Sequence, residues 1–192
     1  MKIISKASVA GFVIGFICFP LVLWGAIYGY GTFITGGFDV GGGDGLRPPE
    51  LSAERIVNLD WTVKSLDGVE VNLKDYAENK MVFLNFWATW CPPCVAEMPS
   101  IDTLHRLFGE TMAFVCISQE NAETLKKFLQ VKQFSFPIFY TETPPPQELN
   151  AAILPTTFII ASDGKILLKH MGGADWAHES VIAFLRENAA RG

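Results

Sequence analysis

The pattern of apolar and polar residues changes several times along this chain, and each pattern predicts a structural element. Residues 61–66 and 69–73 alternate between apolar and polar on either side of the pair Asp67-Gly68, which predicts a β-hairpin with a tight turn. Residues 81–87 and 112–117 are nearly continuous apolar runs, as is typical of strands buried on both faces of a sheet. Half-exposed and fully buried strands are therefore both expected.

Helical periodicity separates these strands. Over residues 92–108 the apolar residues recur three and four positions apart, and Gly109 follows where the helix should end. Similar spacing predicts helices over residues 122–131 and 176–189, and a shorter one over 147–152. Further short strands are predicted over residues 136–140, 156–160 and 165–170. This order predicts an α/β fold with a mixed central sheet, helices on both faces and an N-terminal hairpin.

The N-terminal part of the chain predicts a membrane anchor. Residues 7–38 contain no charged residue, and this span exceeds the roughly 20 residues that a helix needs to cross a bilayer. Lys2 and Lys6 precede it, and positive charge beside a span favours the cytoplasmic side. The span is longer than the apolar region of a signal peptide, and no clear A-x-A site follows it. We therefore expect a retained anchor, with a cleaved signal peptide as the alternative.

The predicted organisation has three parts. Residues 1–35 form an uncleaved signal-anchor, one transmembrane helix that crosses the inner membrane through residues 7–35. Residues 36–50 are rich in glycine and proline and form a flexible linker. Residues 51–192 form one folded domain, which the orientation of the anchor places in the periplasm or an equivalent extracytoplasmic space.

The charge of the chain excludes one class of partner. The chain has 15 Lys and Arg against 20 Asp and Glu, a formal net charge of −5, and two of the lysines precede the anchor. The predicted domain is therefore acidic. This argues against a nucleic-acid partner and against close contact with an anionic membrane surface.

The four cysteines differ in their surroundings. Cys18 lies within the predicted anchor, and Cys116 lies within a predicted buried strand, where an unreactive free thiol is expected. Cys91 and Cys94 have the spacing of a motif, because two cysteines separated by two residues can close a disulfide across one helical turn. This spacing indicates either a redox-active disulfide or half of a metal site.

The position of the pair favours redox chemistry. Cys91 follows a buried strand and begins a predicted helix, where unpaired backbone N–H groups and the helix dipole favour the thiolate. Pro92 suits the first helical position, because its missing N–H would have had no partner there. The thiolate is the nucleophile of thiol–disulfide exchange. We therefore assign Cys91 as the attacking sulfur and Cys94, one turn later and less exposed, as the resolving sulfur.

Two groups of segments carry a resemblance to a known family. Residues 83–94 read FLNFWATWCPPC and are followed by Glu97-Met98-Pro99. Farther along, Leu154-Pro155 precedes two threonines, and Gly172-Gly173 follows the last predicted strand. In this combination the chain resembles the TlpA/ResA-like branch of the thioredoxin superfamily, which includes the CcmG/DsbE-like proteins. The resemblance covers about residues 51–190. It implies a thioredoxin-like fold and a membrane-anchored thiol:disulfide oxidoreductase.

The resemblance also implies a substrate-binding surface. Pro155 would follow a cis peptide bond and lie across from Cys91, and Leu154 would offer backbone groups to a bound peptide. Trp90 and Pro92, which flank Cys91, would complete the surface. The alternative is an ordinary loop proline ahead of a strand.

A third catalytic residue is implied at Glu97. It lies three residues after Cys94, about one helical turn away, and would tune the cysteine pair and relay a proton to or from Cys94. Asn85 departs from thioredoxin itself, which has a buried aspartate at the matching position. Since Asn cannot titrate, Glu97 is the better candidate for the proton acceptor. The alternative is a solvated glutamate in the first helical turn, stabilised by the helix dipole.

We therefore expect a protein-disulfide reductase that acts on extracytoplasmic proteins with disulfides or thiols. Apocytochrome c, during cytochrome c maturation, is the leading candidate within the family. A reductant in an oxidising compartment needs electrons, which implies a membrane electron donor that re-reduces the Cys91–Cys94 pair. The two thiols carry the chemistry, so we predict no cofactor and no metal.

Other functions could use the same two thiols. The alternative is a copper chaperone or sensor, although related copper chaperones place three residues between their cysteines and add a distal histidine. A zinc site would need a second Cys/His pair, and His105, His170 and His178 lack that spacing. A peroxidase of the bacterioferritin-comigratory type uses a threonine three residues before its cysteine, where this chain has Ala88.

Overall fold

The computed structural model describes residues 56–189 of the chain. The predicted anchor (1–35), the predicted linker (36–50) and the first residues of the predicted domain lie outside this range, so these assignments stay predictions. Within the described range, no helix combines the length and the apolar character that a bilayer crossing requires.

Residues 56–189 form a mixed seven-stranded sheet. In chain order its strands are β1 (Thr62–Ser65), β2 (Glu70–Asn72), β3 (Met81–Phe86), β4 (Met112–Ser118), β5 (Ile138–Tyr140), β6 (Thr156–Ile160) and β7 (Ile166–Met171). Their spatial order is β2-β1-β5-β4-β3-β6-β7. The central strands β5, β4 and β3 are parallel, and the strands on either side pair antiparallel. The predicted mixed sheet and N-terminal hairpin are confirmed.

Four α-helices and one 3-10 turn accompany the sheet in the described range. They are α1 (Leu73–Ala77), α2 (Pro92–Phe108), α3 (Ala122–Val131), the 3-10 turn (Gln147–Leu149) and α4 (Glu179–Ala189). The ends of α2 and α3 agree with the sequence prediction. Pro92 begins α2 and Gly109 ends it, while the Asn121 side chain caps α3 by accepting the backbone N–H of Thr124.

The side chains of β3 alternate between two hydrophobic cores. Phe83 packs into the core that α2, α3 and α4 cover, together with Met98 of α2. Val82 and Leu84 pack into the opposite core, which Trp61 and the short helix α1 close. Every residue of β3 is buried as a result, which explains its continuous apolar pattern. Helices cover both faces as predicted, with the three longer ones on the same face.

Several element boundaries differ from the sequence prediction, and three of them change the type or the start of a helix. Strand β2 ends at Asn72, whose side chain accepts the backbone N–H of Lys74 and starts α1, a helix that the sequence pattern does not predict. The helix expected over residues 147–152 is a single 3-10 turn. Helix α4 begins at Glu179 instead of Trp176, because the backbone and indole N–H groups of Trp176 both donate to residues of α2.

Two glycines with positive φ provide a matched pair of stability tests. At Gly164, between β6 and β7, φ is +87°, and an added Cβ would lie 2.8 Å from the backbone oxygen of Val57. At Gly68, in the hairpin turn, φ is +82°, and an added Cβ would meet nothing within 4 Å. We expect Gly164→Ala to lower the free energy of unfolding by about 3 kcal/mol and Gly68→Ala by about 1 kcal/mol, because only the first adds a backbone clash to the conformational strain. Urea denaturation measures both losses, and equal losses would contradict the expectation.

Candidate active site

Cys91 and Cys94 form a disulfide at the N-terminus of α2. Their sulfurs are 2.06 Å apart and their Cα atoms 5.3 Å apart. Cys91 is the N-cap residue, in an extended conformation, whereas Cys94 lies in the first turn of the helix. The exposed fraction is 4% for Cys91 and 0% for Cys94. This order of exposure is the one expected for an attacking Cys91 and a resolving Cys94.

The start of α2 favours a thiolate at Cys91 once the disulfide is reduced. No side chain caps the helix at Cys91, and the first turn contains no acidic residue that would offset the positive end of the dipole. The first helical hydrogen bond runs from the N–H of Val95 to the carbonyl of Cys91. Pro92 and Pro93 carry no N–H, so the positive end of the helix dipole, together with the amide of Cys94, is what favours a thiolate at this helix start.

The loop between β3 and α2 is held by Glu120, which follows β4. The carboxylate of Glu120 accepts the backbone N–H and the hydroxyl of Thr89, both at 2.7 Å. It also accepts the hydroxyl of Ser118 at 3.2 Å. Thr89 is two residues before Cys91, so these bonds fix the approach of the chain to the disulfide.

The peptide bond between Leu154 and Pro155 is cis, as predicted. Pro155 immediately precedes β6, whose first residue pairs with Phe86 at the end of β3. A cavity of about 270 Å³ at this edge of the sheet is lined by Leu154, Trp90 and Glu120, among others. The fold therefore brings the cis-proline loop and the residue before Cys91 to the same cavity, although they are far apart in the sequence.

The residues predicted to bind substrate have different exposures. Trp90 is 71% exposed, and Pro92 is exposed as well. Leu154 is half-buried and Pro155 is buried. An exposed tryptophan beside a reactive sulfur provides a large apolar contact surface. Substrate binding by these four residues stays a prediction.

Glu97 is fully buried on α2, one turn after Cys94. Its Oε1 accepts the side-chain amide of Asn85 at 2.8 Å. Its Oε2 accepts the backbone N–H of Ala174 at 3.1 Å and the indole N–H of Trp176 at 2.9 Å. Burial raises the pKa of Glu97 to about 7, and the bonds from Trp176, Asn85 and Ala174 act in the opposite direction. The alternative of a solvated glutamate is therefore wrong.

A row of polar side chains crosses the sheet beside Glu97. Asn85 of β3 is paired with Cys116 of β4 on one side and with Thr157 of β6 on the other. The Asn85 amide also donates to the Thr157 hydroxyl at 2.8 Å, so its two N–H groups hold Glu97 and Thr157. Cys116 is a buried free thiol, as predicted. Its pKa is raised by burial and, to a lesser extent, by the carboxylate of Glu97.

Each of the three histidines contacts a different group. His105 contacts Ser135 from α2, and His178 contacts Ser180 at the start of α4. His170 lies on β7, with its ring against Trp176. Among residues 56–189, no group of three or more His, Cys, Asp or Glu side chains is placed to hold a metal ion.

Sequence reasoning missed two residues of this site, Glu120 and Trp176. A signal for Glu120 existed, because it follows β4, the parallel neighbour of β3, and the carboxyl ends of parallel strands share an edge of the sheet. For Trp176 the sequence predicted only the first residue of the C-terminal helix. Its contact with Glu97 joins residues 79 positions apart, which no local pattern reveals.

The fold and the site together define a class of protein. A mixed sheet with a cysteine-pair disulfide at a helix N-terminus, next to a cis-proline loop, is the arrangement of a thioredoxin-like thiol–disulfide oxidoreductase. The chain is an enzyme of this class.

Proteins of similar sequence support this assignment to the thioredoxin-like oxidoreductases. The thioredoxin-like protein YneN of Bacillus subtilis is 35% identical over 117 residues, which cover 59% of this chain and 68% of that protein. The thiol-disulfide oxidoreductase ResA of Halalkalibacterium halodurans is 33% identical over 130 residues, covering 64% of this chain and 69% of that protein. The predicted resemblance to the ResA-like branch is confirmed.

The family profile and a solved structure complete the comparison. The chain belongs to the AhpC/TSA family, whose profile matches residues 57–169. The exposed lipoprotein thioredoxin Etrx1 of Streptococcus pneumoniae superimposes with a TM-score of 0.57 at 23% identity, over 67% of this chain and 98% of that one. This structural likeness confirms the thioredoxin-like fold.

Proposed function

We propose that this chain is a membrane-anchored reductase of disulfides in extracytoplasmic proteins. The observation that best supports the reducing direction is the buried Glu97, one turn from Cys94. Its carboxylate opposes a second negative charge at Cys94, and strong oxidants of this class work in the opposite way, by stabilising the reduced form. A dithiol without that stabilisation gives up its electrons more readily.

The proposed reaction begins with the reduced pair. The Cys91 thiolate attacks one sulfur of a client disulfide, which forms a Cys91–client mixed disulfide and releases the other client sulfur as a thiol. Cys94 then passes its proton to Glu97 and attacks the Cys91 sulfur. The Cys91–Cys94 disulfide forms, and the second client sulfur leaves and takes up a proton. Two electrons have passed from the cysteine pair to the client.

Client binding uses the surface around the disulfide. The exposed faces of Trp90 and Pro92 meet the client beside the attacking sulfur, and the backbone at Leu154, ahead of cis Pro155, binds the extended client segment. The cavity of about 270 Å³ lined by Trp90 and Leu154 supports this assignment, because it offers room for a client side chain beside the residue that precedes Cys91.

The location and the electron supply of the reductase follow from the sequence. Residues 7–35 hold the chain in the inner membrane, and residues 36–50 let the domain reach clients in the periplasm or an equivalent space. A membrane electron donor re-reduces the disulfide after each turnover. Proteins with disulfides or thiols are the clients, and apocytochrome c is the first one to test.

Equilibration of the full chain with glutathione tests the direction of electron flow. We expect a potential more negative than about −220 mV, nearer to that of thioredoxin than to the roughly −120 mV of a strong oxidant, because the buried Glu97 carboxylate opposes a second negative charge at the reduced pair. The fraction of oxidised Cys91–Cys94 is read by mass spectrometry after alkylation. A Cys116→Ala control shows that the buried third thiol does not contribute, and a value near −120 mV would reverse the proposed direction.

A further inference from the structure

Trp176 reaches the active site from the segment between β7 and α4. Its side chain is fully buried, and its indole N–H donates to Oε2 of Glu97 at 2.9 Å. The backbone N–H of Ala174 donates to the same oxygen at 3.1 Å, while Asn85 holds Oε1. Three N–H donors from two separate parts of the chain, β3 and the segment before α4, therefore hold this carboxylate.

The indole ring of Trp176 is held by contacts on several sides. Its backbone N–H donates to the hydroxyl of Ser100, which in turn donates to the backbone carbonyl of Glu97. The ring packs edge-on against Phe83, with centroids 5.1 Å apart, and against His170 at 5.9 Å. Backbone and ring are thus both held relative to α2, with the indole N–H directed at Glu97.

The ionisable groups around Glu97 come from several elements. Cys94 precedes it on its own helix, Cys116 faces it from β4, and His170 of β7 lies on the far side of the Trp176 ring. From β3 the facing group is the uncharged amide of Asn85. The indole N–H, at 2.9 Å from Oε2, favours the ionised carboxylate against the effect of burial.

We propose that Trp176 is a positioning residue whose indole N–H holds the Glu97 carboxylate beside Cys94 and sets the pH above which that carboxylate accepts the Cys94 proton. This inference rests on the proposed role of Glu97 as the proton acceptor. Without the indole donor, the carboxylate stays protonated to higher pH and cannot take a second proton. Mixed-disulfide resolution would then begin only at higher pH.

The test measures resolution of a mixed disulfide on the full chain in detergent, in a Cys18→Ser background. The reduced protein is mixed with 5,5′-dithiobis(2-nitrobenzoate), so that Cys91 releases one coloured thiolate and Cys94 then displaces a second. The rate of the second release is followed from about pH 5 to about pH 9, a range that brackets the ionisation of Glu97. We expect Trp176→Phe to move the inflection of this rate upward by roughly one pH unit.

Two further variants make the result specific. Trp61→Phe is the matched control, because Trp61 is also buried and donates its indole N–H, in this case to Thr143 on the other side of the sheet. It should leave the inflection in place. Glu97→Gln should remove the inflection that Glu97 produces and leave only the steady rise with hydroxide concentration that thiol attack shows by itself. If Glu97→Gln keeps the inflection, the role of Glu97 in the proposed function fails. If Glu97→Gln loses the inflection but Trp176→Phe does not shift it, the inference about Trp176 fails and the role of Glu97 stands.

A second variant at position 176 tests the inference if Trp176→Phe does not fold. If Trp176→Phe loses its near-ultraviolet circular dichroism, the benzothienyl analogue of tryptophan is introduced at position 176 alone. This analogue has sulfur in place of the N–H group and nearly the same shape, so only the hydrogen bond to Glu97 is lost. An unshifted inflection with the analogue overturns the inference.

Discussion

Replacing Cys91 by serine should abolish disulfide reduction by this chain, with a loss of at least about a thousandfold in the rate of insulin reduction. The helix start that surrounds Cys91 can stabilise a thiolate, but a serine hydroxyl does not ionise near neutral pH and forms no disulfide. A turbidity assay of insulin reduction, with dithiothreitol as electron source, measures the loss.

Two controls accompany this prediction. Cys116→Ser removes a thiol that is buried and unpaired, and should keep the rate close to that of the wild type. Cys94→Ser should complete the first step only, so that the protein accumulates as a mixed disulfide with its client. Retention of insulin reduction by Cys91→Ser would disprove the assignment of the attacking sulfur. Equal trapping by Cys91→Ser and Cys94→Ser would contradict their separate roles.

The free energy of unfolding of the oxidised chain should fall by about 3 kcal/mol between pH 4.5 and 7.5 because of Glu97 alone. Burial raises the pKa of Glu97 from 4.5 to about 7 in the folded protein. The folded state therefore binds this proton more tightly than the unfolded state does. The stabilisation is complete below the unfolded pKa and is lost as the pH rises through the folded one.

Urea denaturation of the oxidised full chain in mild detergent, repeated across this pH range, measures the effect. In Glu97→Gln the decline should be smaller by the contribution of Glu97, although the variant is also less stable, because a side-chain amide matches three N–H donors poorly. Glu123→Gln is the matched control, since the Glu123 side chain is 78% exposed and pairs only with Lys127 in a surface ion pair. A parallel decline in Glu97→Gln and the wild type would show that Glu97 does not titrate in this range.

Local patterns predicted most of the fold. The buried strands β3 and β4 and the helices α2 and α3 lie within a residue of their predicted ranges, because their apolar periodicity and their end signals agree. The pattern failed at Leu73, where the alternation of the hairpin continues into α1. That side chain is buried either way, so periodicity could not distinguish the end of a strand from the first residue of a helix.

The sequence by itself also determined the chemistry of the site. Two cysteines at this spacing, after a buried strand and at a helix start, already indicate a redox-active disulfide, and the family resemblance placed the cis bond at Pro155. These features are encoded within short segments, where neighbouring residues share one element of structure. The predicted anchor rests on a local signal of the same kind, a long run without charged residues, and stays a prediction.

Only the tertiary structure decided how Glu97 is held. Its position on α2 is local, but its burial and its three donors depend on β3 and on the segment before α4, and Trp176 lies 79 residues away. Glu120 likewise reaches Thr89 across 31 residues. The environment of a buried carboxylate is set by whatever packs against it, and packing partners are chosen by the fold as a whole, so its protonation follows from the assembled structure and not from its neighbours in the sequence.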